Sequence, residues 1–506
     1  MQGSFVQYTK GSSMKNAFTL IVILLSFSAV AQQSLLSNEI PYPYYDVQKS
    51  DQNQDNYMTI LNSGIASFEK RIQLIQNAKD TLILEYFIFE KDKAGRIILQ
   101  ELVSAAKRGV KVKILVDKSM AVVTLDEYDV QVLSENKIEL RFYNAAPLLK
   151  LSTIQFRNHR KVIIADNTIG IVGGRNIADD YFDLSESYNF IDRDVLVEGP
   201  IIKTITASFE EYFEHEISER TVLPIHAKKI PTDYEERLSK AKQTFERSAK
   251  DRSELDEIRA LGQKILATTQ SKLCPEVTWS TDRPGGTFWR RLVDEYSDDY
   301  RYLRKTIYDK MIVTDKKITI SSPYIMNNKY SRRLMFKMLD KGVEIETYTN
   351  SLSSTDAAYV AANLYKDVFR WTKKGIKTNL HQGDYIPETE VLNPKIAKAR
   401  WGTHSKTYLF ESNDQQEFMI STYNVDNRSN HYNSELGLFC KGSPELFKDV
   451  ADNVKLRMYH GMEVLKKRKA RDNRTGKLVN RFGKHPEGLT SMRLMALPSW
   501  LFKFLL

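Results

Sequence analysis

The chain has 506 residues, of which 42% are hydrophobic and 27% charged, a balance that excludes a disordered or collagen-like protein and fits two cores rather than one. Two cysteines exclude a disulfide framework, and without metal-ligand spacing they exclude a cysteine zinc site; a single bridge stays open. The net charge of +10 is local, because from Lys455 onward thirteen Lys/Arg stand against three Asp/Glu.

In chain order, Ala17 to Ala31 is apolar, follows Lys15 and ends in Ala29-Val30-Ala31, the form of a secretory signal cleaved after Ala31. It is short of the roughly 20 residues that span a bilayer, so an uncleaved inner-membrane anchor is the alternative. Met14 offers a second start. Residues 32–56 read as a linker with Pro41 and Pro43. Helical spacing follows from Ile60 to Ala78, then a buried strand (Thr81 to Phe89), an amphipathic helix (Gly95 to Lys107) and an alternating strand (Gly109 to Asp117). Strand, helix and strand of this length predict a right-handed βαβ unit on a parallel sheet.

The order returns downstream as Lys317 to Tyr324, Ser331 to Leu339 and Gly342 to Thr349. Lys107-Arg108-Gly109-Val110 and Asp340-Lys341-Gly342-Val343 stand at matching places, which points to an internal duplication. Between the halves, Thr232 to Ala267 is charged with sparse apolar spacing and predicts two exposed helices. The expected segments are 1–31 signal or anchor, 32–56 linker, 57–215 first half, 216–285 helical connector, 286–455 second half and 456–506 basic and apolar tail. Within the tail, Lys466 to Arg471 suits a phosphate-bearing partner, and Met492 to Leu506 suits an interfacial anchor or a segment packed on the core.

Each half carries the same chemistry after its βαβ unit. The first copy has His159, Lys161 and Asp166, then Gly173-Gly174-Arg175-Asn176; the second has His404, Lys406 and Glu411, then Ser421-Thr422-Tyr423-Asn424. In a strand, residues i and i+2 share a face, so each pair sets an imidazole beside an ammonium. One His-x-Lys means nothing, whereas two with matching trailing residues argue for function. Asp194 and Glu435 follow their histidines at comparable distances and are expected to accept an imidazole N–H each.

On these residues the chain resembles the phospholipase D superfamily, whose signature is H-x-K-x-x-x-x-D followed by G-[SG]-x-N, present twice. It is most similar to the bacterial cardiolipin synthase branch, through Gly173 to Phe182 (GGRNIADDYF), Arg193-Asp194-Val195, Ser322-Pro323-Tyr324 and Thr349-Asn350-Ser351-Leu352. The resemblance implies an α/β fold of two pseudo-two-fold related halves, each a mixed, mostly parallel sheet flanked by helices, with the active site at their interface. It implies a phosphohistidine route without metal or cofactor. His159 would be the nucleophile and His404 the acid/base; Lys161, Lys406, Asn176 and Asn424 would hold the phosphoryl oxygens, while Asp166 and Glu411 act mainly in structure. Phosphatidylglycerol and phosphatidylethanolamine at a membrane surface are the implied substrates, for transfer to cardiolipin or, alternatively, hydrolysis to phosphatidic acid. A nuclease or a non-catalytic lipid-binding module is disfavoured. The chain departs from the pattern at Glu411 (usually Asp), at Ser421-Thr422 (usually Gly-Ser) and at Asn167 (commonly Gly).

Overall fold

The structure is a computed structural model that describes residues 48–49, 55–118, 124–145, 155–286, 300–326, 328–388, 390–484 and 489. The apolar segment Ala17 to Ala31, most of the linker and Met492 to Leu506 lie outside the described residues. Two mixed sheets carry the fold. The first uses β1 (Asn56–Leu61), β2 (Thr81–Tyr86), β3 (Lys111–Asp117), β4 (Ile138–Tyr143), β5 (Val162–Ala165) and β6 (Ile169–Gly173). After β7 (Tyr188–Ile191), which belongs elsewhere, β8 (Asp194–Glu198) continues it, and the short strands Ser218–Arg220 and Lys272–Cys274 form its edges. The second uses β9 (Glu276–Thr281), β10 (Lys317–Ser321), β11 (Glu344–Asn350) and β12 (Lys377–His381). Past β13 (Arg400–Thr403) it continues with β14 (Lys406–Glu411), β15 (Gln416–Ser421) and β16 (Leu436–Lys441).

The strand orders β4-β3-β2-β5-β6-β8-β1 and β12-β11-β10-β14-β15-β16-β9 are the same path walked twice. In each, the βαβ unit supplies parallel neighbours, β2 beside β3 and β10 beside β11. The crossover helices Lys93–Lys107 and Lys329–Asp340 end before Gly109 and Gly342, whose φ of 99° and 89° stop the helix at the place the sequence match predicted. The expectation of mostly parallel sheets needs correction. Within these two sheets, among the described residues, parallel pairing is confined to β2–β3–β4 and β10–β11–β12, while hairpins and returning strands make their other ladders antiparallel.

Two boundaries also move. Glu276–Thr281, expected in the connector, pairs along its full length with β16 as the counterpart of β1. The basic tail is not simply solvated, because Met462–Leu465, Lys469–Asp472 and Leu478–Val479 extend the second sheet. The connector helices Tyr234–Phe245 and Ala249–Leu266 do form, and they bury Leu238, Ala241, Phe245, Leu255 and Ile258 in the core of the first half.

One buried cluster joins the halves: Val162, Val195 and Val197 from the first sheet meet Trp279, Phe418, Ile420 and Leu438 from the second. Helices Ile201–Glu214 and Pro444–Tyr459 contribute Phe209, Phe213, Leu446 and Val450 to it. Cys274 and Cys440 form a disulfide inside this cluster, tying the strand Lys272–Cys274 beside β1 to β16.

Candidate active site

The first motif is set by alternation. Asn158 and Arg160 face the acid Glu85 on β2, with Asn158 Nδ2 donating to Glu85 Oε1 at 2.7 Å and Arg160 paired to Glu85 Oε2 at 3.1 Å. His159 and Lys161 therefore project to the opposite face. The hairpin β5–β6 turns through Asp166 and Asn167, with φ of 52° and 53°, so Asn serves where Gly is common because it tolerates the left-handed region.

The halves interlock where the motifs begin. Asn158 bridges Ser434 in parallel, and His159 N–H donates to Ser434 C=O at 2.9 Å. In the mirrored arrangement β13 pairs in parallel with β7, and His404 N–H donates to Ile191 C=O at 2.8 Å. Each backbone pairing delivers a carboxylate from the opposite half. His159 Nδ1 lies 2.9 Å from Glu435 Oε2 and 3.1 Å from the Thr422 carbonyl oxygen. His404 Nδ1 lies 2.6 Å from Asp192 Oδ2. Acceptors at Nδ1 place the proton there and leave Nε2 as the reactive nitrogen of each ring.

Asp192, not Asp194, is the acid at His404. Asp194 sits on β8, two residues further on, and its side chain points back into the first half. There it accepts from Ser67 Oγ at 2.6 Å and pairs with Arg71 at 3.0 Å and Arg175 at 3.3 Å. Register explains the correction: Asp194 lies opposite Gly173, and its counterpart in the second half is Gly437, opposite Ser421. A Cβ on Gly173 would collide with Asp194 and one on Gly174 with Asp192, so the two glycines leave room for two acids. In the second half the sizes are exchanged, and Ser421 faces a glycine. A sequence signal for Asp192 exists, since Tyr188-Asn189 and Tyr432-Asn433 each precede their acid by a few residues.

Lys161 Nζ donates to its own His159 C=O at 2.6 Å, and Lys406 Nζ to His404 C=O at 2.7 Å while lying 2.9 Å from each ring nitrogen of His404. Both lysines are about 1% exposed, and among the described residues neither has a carboxylate within ion-pair distance. Burial, then Lys406, pushes Lys161 well below the ordinary lysine value, and burial brings Lys406 down to about 8. Burial and the field of Lys161, Lys406 and Arg428 hold His159 well below an ordinary histidine; burial and Lys406 bring His404 down to about 4, against the pull of Asp192. Burial raises Glu435 to about 7. For Asp192 burial works the same way, but His404, Lys406 and Arg175 outweigh it and hold the carboxylate below its usual range. The two His-Lys couples lie within electrostatic reach of one another where the halves interlock. Two buried ammonium groups with no carboxylate in ion-pair contact, among the described residues, define a site that an anion completes.

Asn176 Oδ1 accepts from Ile88 N–H at 3.1 Å; among the described residues its Nδ2 is buried without a partner, and so is Asn424 Oδ1. Phe87 packs against the His159 ring, and Tyr181 and Phe190 pack against His404. Asp166 and Glu411 lie at the far ends of β5 and β14. Asp166 accepts from the backbone N–H groups of Lys79, Asp80 and Thr81 at 2.8–3.2 Å. Glu411 is half-exposed at a strand end. The structure does not bring either to the histidines. Ser429 Oγ (2.6 Å) and Asn433 Nδ2 (3.3 Å) donate to Glu435 Oε1, a holding role that the sequence pattern after the second motif did not assign to them.

Residues 71–217 and 308–456, more than half of the chain, match the family model described as cardiolipin synthase, PLD-like domain. The chain belongs to this family. It is thus an enzyme of the phospholipase D superfamily, with one copy of the domain in each half. Among curated proteins it is 27% identical over 403 residues to cardiolipin synthase C of Escherichia coli K12, covering 74% of this chain and 80% of that protein. A shorter stretch of 139 residues is 37% identical to the cardiolipin synthase of Staphylococcus aureus Mu50, covering 27% of this chain and 28% of that protein. Among solved structures, phosphatidylserine synthase of Haemophilus influenzae Rd KW20 shares the fold. Its TM-score is 0.59 at 15% identity, over 90% of this chain and 98% of that one.

Proposed function

We propose that the chain is a phosphatidyltransferase of the cardiolipin synthase type, acting through a phosphohistidine. The supporting observation is the crossed arrangement in which each imidazole takes its acid from the other half. His159 Nε2 attacks the phosphorus of a phospholipid, the P–N bond forms, and the P–O bond to the headgroup breaks. His404 Nε2–H gives its proton to the departing alkoxide, then takes one from the incoming alcohol. That oxygen attacks phosphorus, and the P–N electron pair returns to His159. Lys161, Lys406 and Asn176 face the equatorial oxygens as charge grows, as does Asn424.

The two rings are not equivalent, which supports this division of labour. His159 stands in a field that is cationic, from Lys161, Lys406 and Arg428, and so keeps a free electron pair. His404 has the ionised Asp192 at 2.6 Å, which favours the protonated state a general acid must visit.

The disulfide supports maturation in an oxidising compartment, in line with the signal-like segment Ala17 to Ala31 and with work on the outer face of a membrane. Among the described residues no helix is long and apolar enough to cross a membrane. The test is incubation of purified protein with phosphatidylglycerol and phosphatidylethanolamine, with and without glycerol, and identification of the products by mass spectrometry. Cardiolipin that His159→Ala no longer forms supports the proposal. Phosphatidic acid alone would replace it with a hydrolase, and DNA cleavage without lipid turnover with a nuclease.

A further inference from the structure

The motif loops are related by bridges as well as by sequence. Ile177 pairs in parallel with Phe89, and Val425 pairs in parallel with Ile325, so Asn176 corresponds to Asn424. Four residues beyond each asparagine the halves differ in kind: an acid, Asp180, in the first and a cation, Arg428, in the second. Burial, then the neighbouring acids Glu90 and Asp92, raise Asp180 to about 8, so it stands as a neutral carboxyl near pH 7 and offers a phosphate no positive charge.

Arg428 lies on the short helix Asn427–His431, part-exposed, with its Nε buried and, among the described residues, without a hydrogen-bond partner. Among the described residues no carboxylate pairs with its guanidinium. The acids within reach of its field are engaged elsewhere. Asp426 accepts from Ser429 N–H at 2.8 Å, and Asp117 from Arg157 at 3.1 Å and Asn158 N–H at 2.7 Å. Its neighbour Ser429 donates to Glu435 Oε1 at 2.6 Å, and Glu435 Oε2 lies 2.9 Å from His159 Nδ1, so Arg428 stands one residue from the bonds that end on the reacting ring, and its charge bears on His159. A planar fork of donors with a buried N–H and no counter-charge is matched to a phosphate.

We propose that Arg428 binds a second phosphate, that of the acceptor lipid, one glycerol bridge away from the phosphorus on His159. The assignment rests on the transferase reading above. It makes the acceptor site selective for an alcohol that already carries a phosphodiester, over free glycerol or water. The second phosphate binds on the Arg428 side only, because Asp180 holds the equivalent place in the other half.

The experiment compares two water-soluble probes by calorimetry on the full chain: propyl phosphate, with one phosphate, and propane-1,3-diyl bisphosphate, with two on the same bridge. Wild-type protein is expected to bind the bisphosphate about tenfold or more tightly than the monophosphate. In Arg428→Gln the preference falls to about one while propyl phosphate binding stays within about threefold, and Arg428→Lys keeps part of the preference. A wild-type preference near one, a preference retained in Arg428→Gln, or equal loss of both probes would each overturn the assignment, the last by placing Arg428 on the reacting phosphate. These readouts need no turnover. Absence of cardiolipin from wild-type protein would count against the transferase reading and not against the second phosphate site.

Discussion

The two halves present their imidazoles in the same frame but give them different company. His159 has a longer acid, Glu435, which burial raises to about 7 and which shares Nδ1 with a carbonyl oxygen. His404 has a shorter acid, Asp192, held below the usual carboxylate range at 2.6 Å. One backbone plan has thus been made asymmetric by an exchange of side-chain size on either side of the same ladder position. Where the first half has glycine opposite Asp194, the second has Ser421 opposite glycine. Duplication supplies two like frames; on the proposed mechanism, the differences separate an attacking group from a proton carrier.

The comparison is broken most directly at the rings. On the proposed mechanism His159→Ala and His404→Ala each lower turnover about 10⁴-fold or more. They differ with a substrate whose leaving group needs no proton, such as a p-nitrophenyl phosphodiester. There His404→Ala still accumulates the covalent intermediate in a rapid-quench experiment and His159→Ala does not. Labelling of both or of neither would dissolve the assigned asymmetry. The acids come next. Asp192→Asn is expected to lower kcat about 10²–10⁴-fold by freeing the wrong tautomer, and Glu435→Gln by less, since Glu435 is already partly protonated near pH 7.

A pH profile sharpens the same contrast. Lys406, brought down to about 8 by burial, loses its proton and its field as pH rises through that value. kcat/KM is therefore expected to fall on the alkaline side of about pH 8. Lys406→Arg should move that limb beyond the accessible range. Asp194→Asn tests the corrected assignment: it leaves Arg71 and Arg175 short of a buried counter-charge and should cost about 3–5 kcal/mol of stability in denaturant titration. Its folded fraction should stay far more active than Asp192→Asn. The smallest effect is expected at Glu411→Gln, within about 0.5 kcal/mol and with unchanged kcat, because the carboxylate is half-exposed and remote from the rings.

By itself the sequence determined the duplicated βαβ-plus-motif plan, the two His-x-Lys couples, the helices of the connector and the acid Glu435, since all of these follow from local periodicity or from motifs repeated at like spacing. It placed His159 and Lys161 on one face because strand alternation depends on nothing distant. Only the tertiary structure decided which acid serves His404. Asp192 and Asp194 are two residues apart on neighbouring elements, and only the pairing of β7 with β13 turns the first of them toward the cleft. The edge strands of the basic segment, the antiparallel majority of the ladders and the bond between Cys274 and Cys440 were likewise settled by partners remote in the chain. Periodicity reports which face a residue presents; what meets that face depends on packing, and packing between halves is written in no single stretch of sequence.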